Sequence, residues 1–177
     1  MAVLIEGVSV VVRAEAIRAK HAGGPEAFGA GAPTPATLCA DGELARAGFA
    51  TPDDARAYVE SLELQGLRYV ENGKAVDLVV VDQRTGLRAP CDWAAFGHTA
   101  WQGDPQQVIA ICYAQPTAVE HVTVPNGWRF AGSLSAGHCF VETEKLPETM
   151  TLVRHERGVD VYADQSGKEF YVERTGA

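Results

Sequence analysis

The chain has 177 residues, with 15 Lys plus Arg against 23 Asp plus Glu, a formal charge of −8, and 46% apolar residues. That length holds one domain or at most two small ones, and ordinary apolar content with only 21% charged residues excludes a disordered chain. The acidic balance argues against a nucleic-acid-coating protein, which needs clustered Lys and Arg to displace counterions from phosphate.

The apolar start, Met1 to Arg13, lacks a basic n-region, carries Glu6 and has no small-residue cleavage site, so it reads as a strand rather than a signal peptide. No stretch approaches the roughly 20 consecutive apolar residues of a membrane span. Cys39, Cys91, Cys112 and Cys139 are far apart, show no CxxC or zinc-finger spacing, and sit among apolar neighbours. They read as reduced, buried thiols, with a disulfide pair as the alternative. These features predict a cytoplasmic protein, and the alanine-rich composition points to a bacterial one.

Val3 to Arg13 alternates, with Val8, Val10 and Val12 on one face and Ser9 on the other, and predicts the first strand. A short helix over 14–21 follows. In residues 22–36, 12 of 15 are Ala, Gly or Pro, which predicts a flexible loop, or a lid if function calls on it. Asp41 reads as the N-cap of a short helix ended by Gly48. Thr51-Pro-Asp-Asp is a stronger start, combining a capping hydroxyl, proline in the first turn and two carboxylates at the positive end of the dipole. With Ala55, Tyr58, Val59 and Leu62 at i, i+3, i+4 and i+7, it predicts an amphipathic helix over 52–65 closed by Gly66. Its acids Asp53, Asp54, Glu60 and Glu63 read as capping and solvent-facing groups.

Asn72-Gly73 predicts a type I′ hairpin, because both residues tolerate positive φ. The implied register sets Glu71 against Lys74 and Tyr69 against Val76, with an ion pair between Arg68 and Asp77. Further on, Asp92 reads as the cap of a short helix through Phe96, and 107–114 and 119–124 as strands before a Pro125-Asn126-Gly127 turn. A meander over 149–154, 159–164 and 169–174 closes the chain, with turns at 156–158 and 165–167. Asp82-Gln83 to Gly86 and Asp164-Gln165 to Gly167 echo each other, either by duplication or because both turns need the same residue types.

No Lys or Arg occurs from Ala89 to Trp128, an interval that holds all three tryptophans. Trp93, Phe96, His98, Trp101 and Trp128 are therefore the candidate ligand- or partner-binding residues, since aromatics dominate pockets and interface hot spots. The candidate catalytic groups are Cys139, His138, His98 and His121, with Cys91 and His98 as a further thiol–imidazole pair. His138 with Glu142, or His98 with His121, could ligate a metal, but without HExxH or a calcium-loop spacing no metal and no cofactor is expected. Gly127 to Ser133 lacks the Lys-Ser/Thr of a phosphate loop, Gly29 and Gly31 lack a third glycine, and Glu142, Glu144 and Glu148 read as a solvated acidic turn.

The sequence thus predicts a single α+β domain over 1–177 with a mainly antiparallel sheet, one well-defined helix and one or two short ones. The expected function is a cytoplasmic binding or interaction protein whose acidic surface meets a basic protein partner, an immunity or antitoxin protein being one instance. The alternative is a small-molecule-binding protein or thiol/histidine-dependent enzyme with a pocket in the second half of the chain. A homo-oligomer through an exposed sheet edge is a third option.

Overall fold

Gly7 divides the opening apolar run into two strands that enter different sheets, where the alternation predicted one. The computed structural model describes residues 1–137, 139–140, 150–156 and 159–173. In it, β1 (Ala2–Ile5) and β2 (Val8–Arg13) are separated by Gly7 at φ 58°, a conformation glycine adopts without a Cβ penalty. Gln83 holds the bend from outside, its side-chain oxygen accepting from Gly7 N–H and its own N–H donating to Gly7 O, both at 2.9 Å.

The helix α1 (Ala14–Lys20) follows as expected. The predicted flexible loop is instead folded over much of its length, with helix α2 (Gly24–Ala30) and a 3-10 turn at Pro35–Thr37. Composition misleads here because three of the four glycines sit at the ends: Gly23 and Gly24 take positive φ at the helix start and Gly31 caps it. Proline in the first turn costs no hydrogen bond, and Phe28 buries itself edge-on to His21, ring centroids 5.6 Å apart. Burying a side chain of that size contributes about 1.5–3 kcal/mol, enough to offset the glycine entropy.

Residues 41–48 also differ from expectation, forming a hairpin of β3 (Cys39–Ala40) and β4 (Leu44–Phe49) rather than a capped helix. Asp41 Oδ1 accepts from the backbone N–H of Glu43 and Leu44, both at 2.8 Å, closing a turn by the same side-chain chemistry that caps a helix. Every residue of β4 is buried, so the strand fills both sides of a sheet. Helix α3 (Pro52–Leu64) matches its prediction: Thr51 Oγ1 accepts from Asp54 N–H, and Ala55, Tyr58, Val59 and Leu62 form the buried face. Gly66 takes φ 101° just beyond it.

The Asn72-Gly73 turn has both φ values positive, 51° and 80°, and joins β5 (Val70–Glu71) to β6 (Lys74–Ala75) in the predicted register. The expected Arg68–Asp77 ion pair does not form. Asp77 is buried and accepts from Lys20 Nζ at 2.7 Å, while the Arg68 guanidinium turns out to Glu71. The chain continues through β7 (Leu78–Asp82) and β8 (Gly86–Leu87). The five strands lie in the order β3-β4-β2-β7-β8, with β2 antiparallel to both neighbours. Val8, Val10, Val12, Ala45, Ala47 and Leu78 from this sheet share one core with residues of the three helices.

The helix expected after Asp92 is replaced by strand β9 (Ala94–Trp101), which turns at Gln102-Gly103 into β10 (Asp104–Ala114). Asp92 is engaged elsewhere, accepting from Lys74 Nζ at 2.7 Å, and so leaves the chain uncapped. Of the expected strand 119–124 only β11 (Val122–Thr123) forms, parallel to β1. The predicted turn after it is present, Trp128 N–H donating to Pro125 O at 3.0 Å.

The chain is thus α+β, with mostly antiparallel sheets, and it divides into two compact units. One holds residues 1–97 with 110–128, the other 98–109 with 129–177. In the second unit β12 (Cys139–Phe140), β13 (Thr151–Glu156), β14 (Val159–Ala163) and β15 (Glu169–Glu173) form one sheet, the last three in the predicted meander. Its turn at 165–167 is closed by Asp164 Oδ1, which accepts from Ser166 and Lys168 N–H, just as Asp82 Oδ1 accepts from Arg84 and Thr85 N–H. Both echoed turns are thus led by an aspartate that accepts from backbone N–H groups. Residues 157–158 of the other turn lie outside the described residues. Among the described residues no helix is long and apolar enough to cross a membrane.

Candidate functional site

Two clusters of charge and aromatic side chains sit at the two ends of β2. At the Arg13 end, Trp93 is fixed by its Nε1–H, which donates to Ala75 O at 3.2 Å, and by the Arg13 guanidinium, 5.6 Å from the ring centroid. The Trp93 ring lines a cleft of about 230 Å³ together with Leu44, Ala114 and Gln115. The start of α1 supplies Glu15 and Arg18 to the same cleft, and the β3–β4 turn supplies Gly42 and Glu43. Arg13 pairs with Glu15. Glu43 accepts from the Thr117 hydroxyl at 3.1 Å and lies 3.8 Å from the Met1 ammonium group. Arg18 is exposed and has no hydrogen-bond or ion-pair partner among the described residues.

At the Glu6 end the centre is Arg46, 2% exposed. Its Nε donates to Ser9 Oγ at 2.9 Å, Nη1 to Thr37 O and Nη2 to Glu6 O, both at 3.0 Å. Such a guanidinium is tolerable only because its donors are met by fixed acceptors. Gly48 lies beneath it, where a Cβ would sit 2.4 Å from Nη2 and push the guanidinium off its acceptors. Glu6 Oε2 accepts from Trp128 Nε1 at 3.0 Å. Burial pushes the neighbouring Cys39 thiol up to about 11, with Arg46 drawing it partly back. The cluster ties β2, β4 and the 3-10 turn together, which is a structural role.

The sequence-predicted tryptophans of the first unit are distributed rather than gathered. Trp93 and Trp128 are anchored at opposite ends of β2, whose six residues span about 17–20 Å at about 3.3 Å each. Phe96 packs against Gly86, where an added Cβ would lie 3.0 Å from its ring. His98 and Trp101 belong to the second unit. Burial drives the His98 imidazole down to about 4, so it is neutral near pH 7. His121 is exposed, and its backbone oxygen accepts from Ala2 N–H. His138, the Cys139 side chain, Glu142, Glu144 and Glu148 lie outside the described residues.

Cys39, Cys91 and Cys112 are free thiols, and burial raises the pKa of each, that of Cys112 well beyond the ordinary thiol range. An activated nucleophile needs the opposite shift. No group of three His, Cys, Asp or Glu side chains able to hold a metal ion occurs among the described residues. Sequence reasoning missed Arg13, Arg18 and Arg46. For Arg46 a signal existed, a cation inside Leu-Ala-Arg-Ala-Gly-Phe with glycine two positions on. For the other two the signal was three-dimensional, because the cleft joins segments 13–18, 42–44, 93 and 114–115. No known family, curated protein or solved structure matches this chain.

Proposed function

We propose that this chain is a binding protein whose acidic face meets a basic protein partner, in the manner of an immunity or antitoxin protein. The observation that carries this reading is the outer side of α3. Asp53, Asp54, Glu60 and Glu63 are all exposed there, against a single cation, Arg56, that is itself tied to Asp53 at 2.8 Å. Asp53, Ala57, Glu60 and Leu64 fall at i, i+4, i+7 and i+11, so they form one stripe opposite the buried face. Leu64, 90% exposed at the end of that stripe, supplies apolar contact beside the charge. An acidic field of this kind accelerates encounter with a basic surface, and a neighbouring apolar side chain slows dissociation. The free thiols of Cys39, Cys91 and Cys112 suit a reducing compartment, which supports a cytoplasmic setting for such a partner.

The test is affinity capture of the intact chain from its native cell, with Asp53→Lys/Glu60→Lys as the control. A stoichiometric basic protein, retained by the native chain at low salt and lost from the charge-reversed one, is the expected result. Recovery of no stoichiometric partner, or equal recovery by the double variant, overturns the reading. Circular dichroism of the variant checks that α3 remains folded, both substituted positions being exposed.

A further inference from the structure

The cleft at the Arg13 end of β2 has its charges paired off except one. Arg13 is satisfied by Glu15 and by the Trp93 ring, and Glu43 by Thr117 and the Met1 ammonium group. Arg18, one helical turn on from Glu15, carries a guanidinium with no carboxylate against it among the described residues. The exposed Gln115 side chain, also part of the lining, likewise makes no hydrogen bond to a described residue. The apolar part of the lining is Trp93, Leu44 and Ala114.

We propose that this cleft binds a small organic monocarboxylate with a planar apolar body, the carboxylate on Arg18 and Gln115 and the body against Trp93 and Ala114. The charge census selects the class. A cationic ligand finds both carboxylates already engaged. A neutral ligand forgoes the charge-assisted fork that Arg18 offers, and such bonds are about twice as strong as neutral ones. A polyanion such as a nucleotide phosphate would meet one unpaired cation in a chain of net charge −8. The size selects further: about 230 Å³ lies below the roughly 300–1,000 Å³ of drug-sized sites, so one ring with a short side chain fills it. A guanidinium presents a planar, two-pronged donor set that matches a carboxylate, and an indole offers a flat wall to a ring.

Nuclear magnetic resonance reads the site directly through the Trp93 indole N–H, identified by its loss in Trp93→Phe. Benzoate, benzamide and inorganic phosphate are titrated separately into the intact chain. The expected result is a saturable shift of that signal with benzoate, and binding about tenfold weaker for benzoate to Arg18→Gln and for benzamide to the native chain. Phosphate, an anion without an apolar body, is expected to bind at least about tenfold more weakly than benzoate. No saturable shift up to about 10 mM benzoate overturns the proposal. So does equal binding by Arg18→Gln or by benzamide, while phosphate binding as tightly as benzoate overturns the apolar half of it. Because Arg18 is exposed on α1, its replacement leaves the fold intact, which the remaining amide signals verify. Asp53→Lys/Glu60→Lys is expected to titrate like the native chain, since neither residue lines the cleft, so this test and that of the acidic face fail separately.

Discussion

Asp77 offers a direct trial of which ion pair the fold uses. Its carboxylate is 2% exposed, receives Lys20 Nζ at 2.7 and 3.0 Å on its two oxygens, and accepts from the backbone N–H of Arg68 at 3.0 Å. Asp77→Ala leaves that N–H without an acceptor, at a cost of about 1–3 kcal/mol. It also loses the Lys20 pair, but Lys20 is 45% exposed and regains hydration, so this part is worth about 1 kcal/mol or less. The sum is about 1–4 kcal/mol. Lys20→Met alone leaves the buried Asp77 carboxylate without its cation and so should cost more than an exposed pair would, and a double-mutant cycle between the two positions isolates their coupling at about 0.5–3 kcal/mol. The cycle between Asp77→Ala and Arg68→Ala should give close to zero, because the Arg68 guanidinium is directed to Glu71 and its backbone N–H survives the substitution. Urea denaturation midpoints of the single and double variants supply all the terms. A coupling of Asp77 to Arg68 equal to or larger than its coupling to Lys20 would refute the arrangement and restore the cross-strand pair that the hairpin register implies.

Three further outcomes follow from single contacts. Thr51→Ala removes a hydroxyl that accepts from Asp54 N–H and donates to Asp54 Oδ2 at 2.6 Å; it should lower stability by about 1 kcal/mol in the same denaturation assay, and Thr51→Ser should recover most of it. For His98, burial holds the folded pKa at about 4 against 6.5. Between these values the unfolded chain binds a proton that the folded chain refuses, so this contribution is fully present above pH 6.5 and is lost as pH falls toward 4, by on the order of 3 kcal/mol. His98→Gln should flatten the difference in stability between pH 4 and 6.5, and a parallel profile in native and variant chains would count against it. Cys39, held at about 11, should react with a thiol reagent at pH 7.5 roughly 300-fold more slowly than free cysteine, read by peptide-resolved mass spectrometry; a rate near that of free cysteine contradicts its burial.

The elements legible in the sequence are those whose signals are local and mutually consistent. Thr51 caps, proline fits the first turn and the apolar period points inward, so nothing distant has to intervene for 52–64 to be helical. Asn72-Gly73 adopts two positive φ values at little steric cost, and once that turn is set the register of its strands follows. The failures have a different origin. Asp41 satisfies two backbone donors whether it opens a helix or closes a hairpin, so its identity cannot choose between them; the burial of all six residues of β4 does. Gly7 reads as one residue in an alternating run, and the bend appears only through Gln83, 76 residues away.

A charge map drawn along the chain was equally unable to place a site, and for a physical reason. The interval without cations holds the three tryptophans, but rings recognise little until a polar group fixes the orientation of what lies against them. That group comes from elsewhere: Arg13 and Arg18 reach the Trp93 ring and its cleft from the β2–α1 junction, and Glu6 from the β1–β2 bend holds Trp128. A segment that lacks cations in sequence is thus supplied with them in space. The same pairing separates Trp93 from Trp128, because each is drawn to its own partner at its own end of β2. An excess of −8 is a property of the whole surface and acts on a distant partner, whereas a single guanidinium left over in a cleft acts on what touches it. The two proposals therefore draw on different ranges of the same force, and raising the salt should weaken the long-range encounter at α3 more than the contact at Arg18.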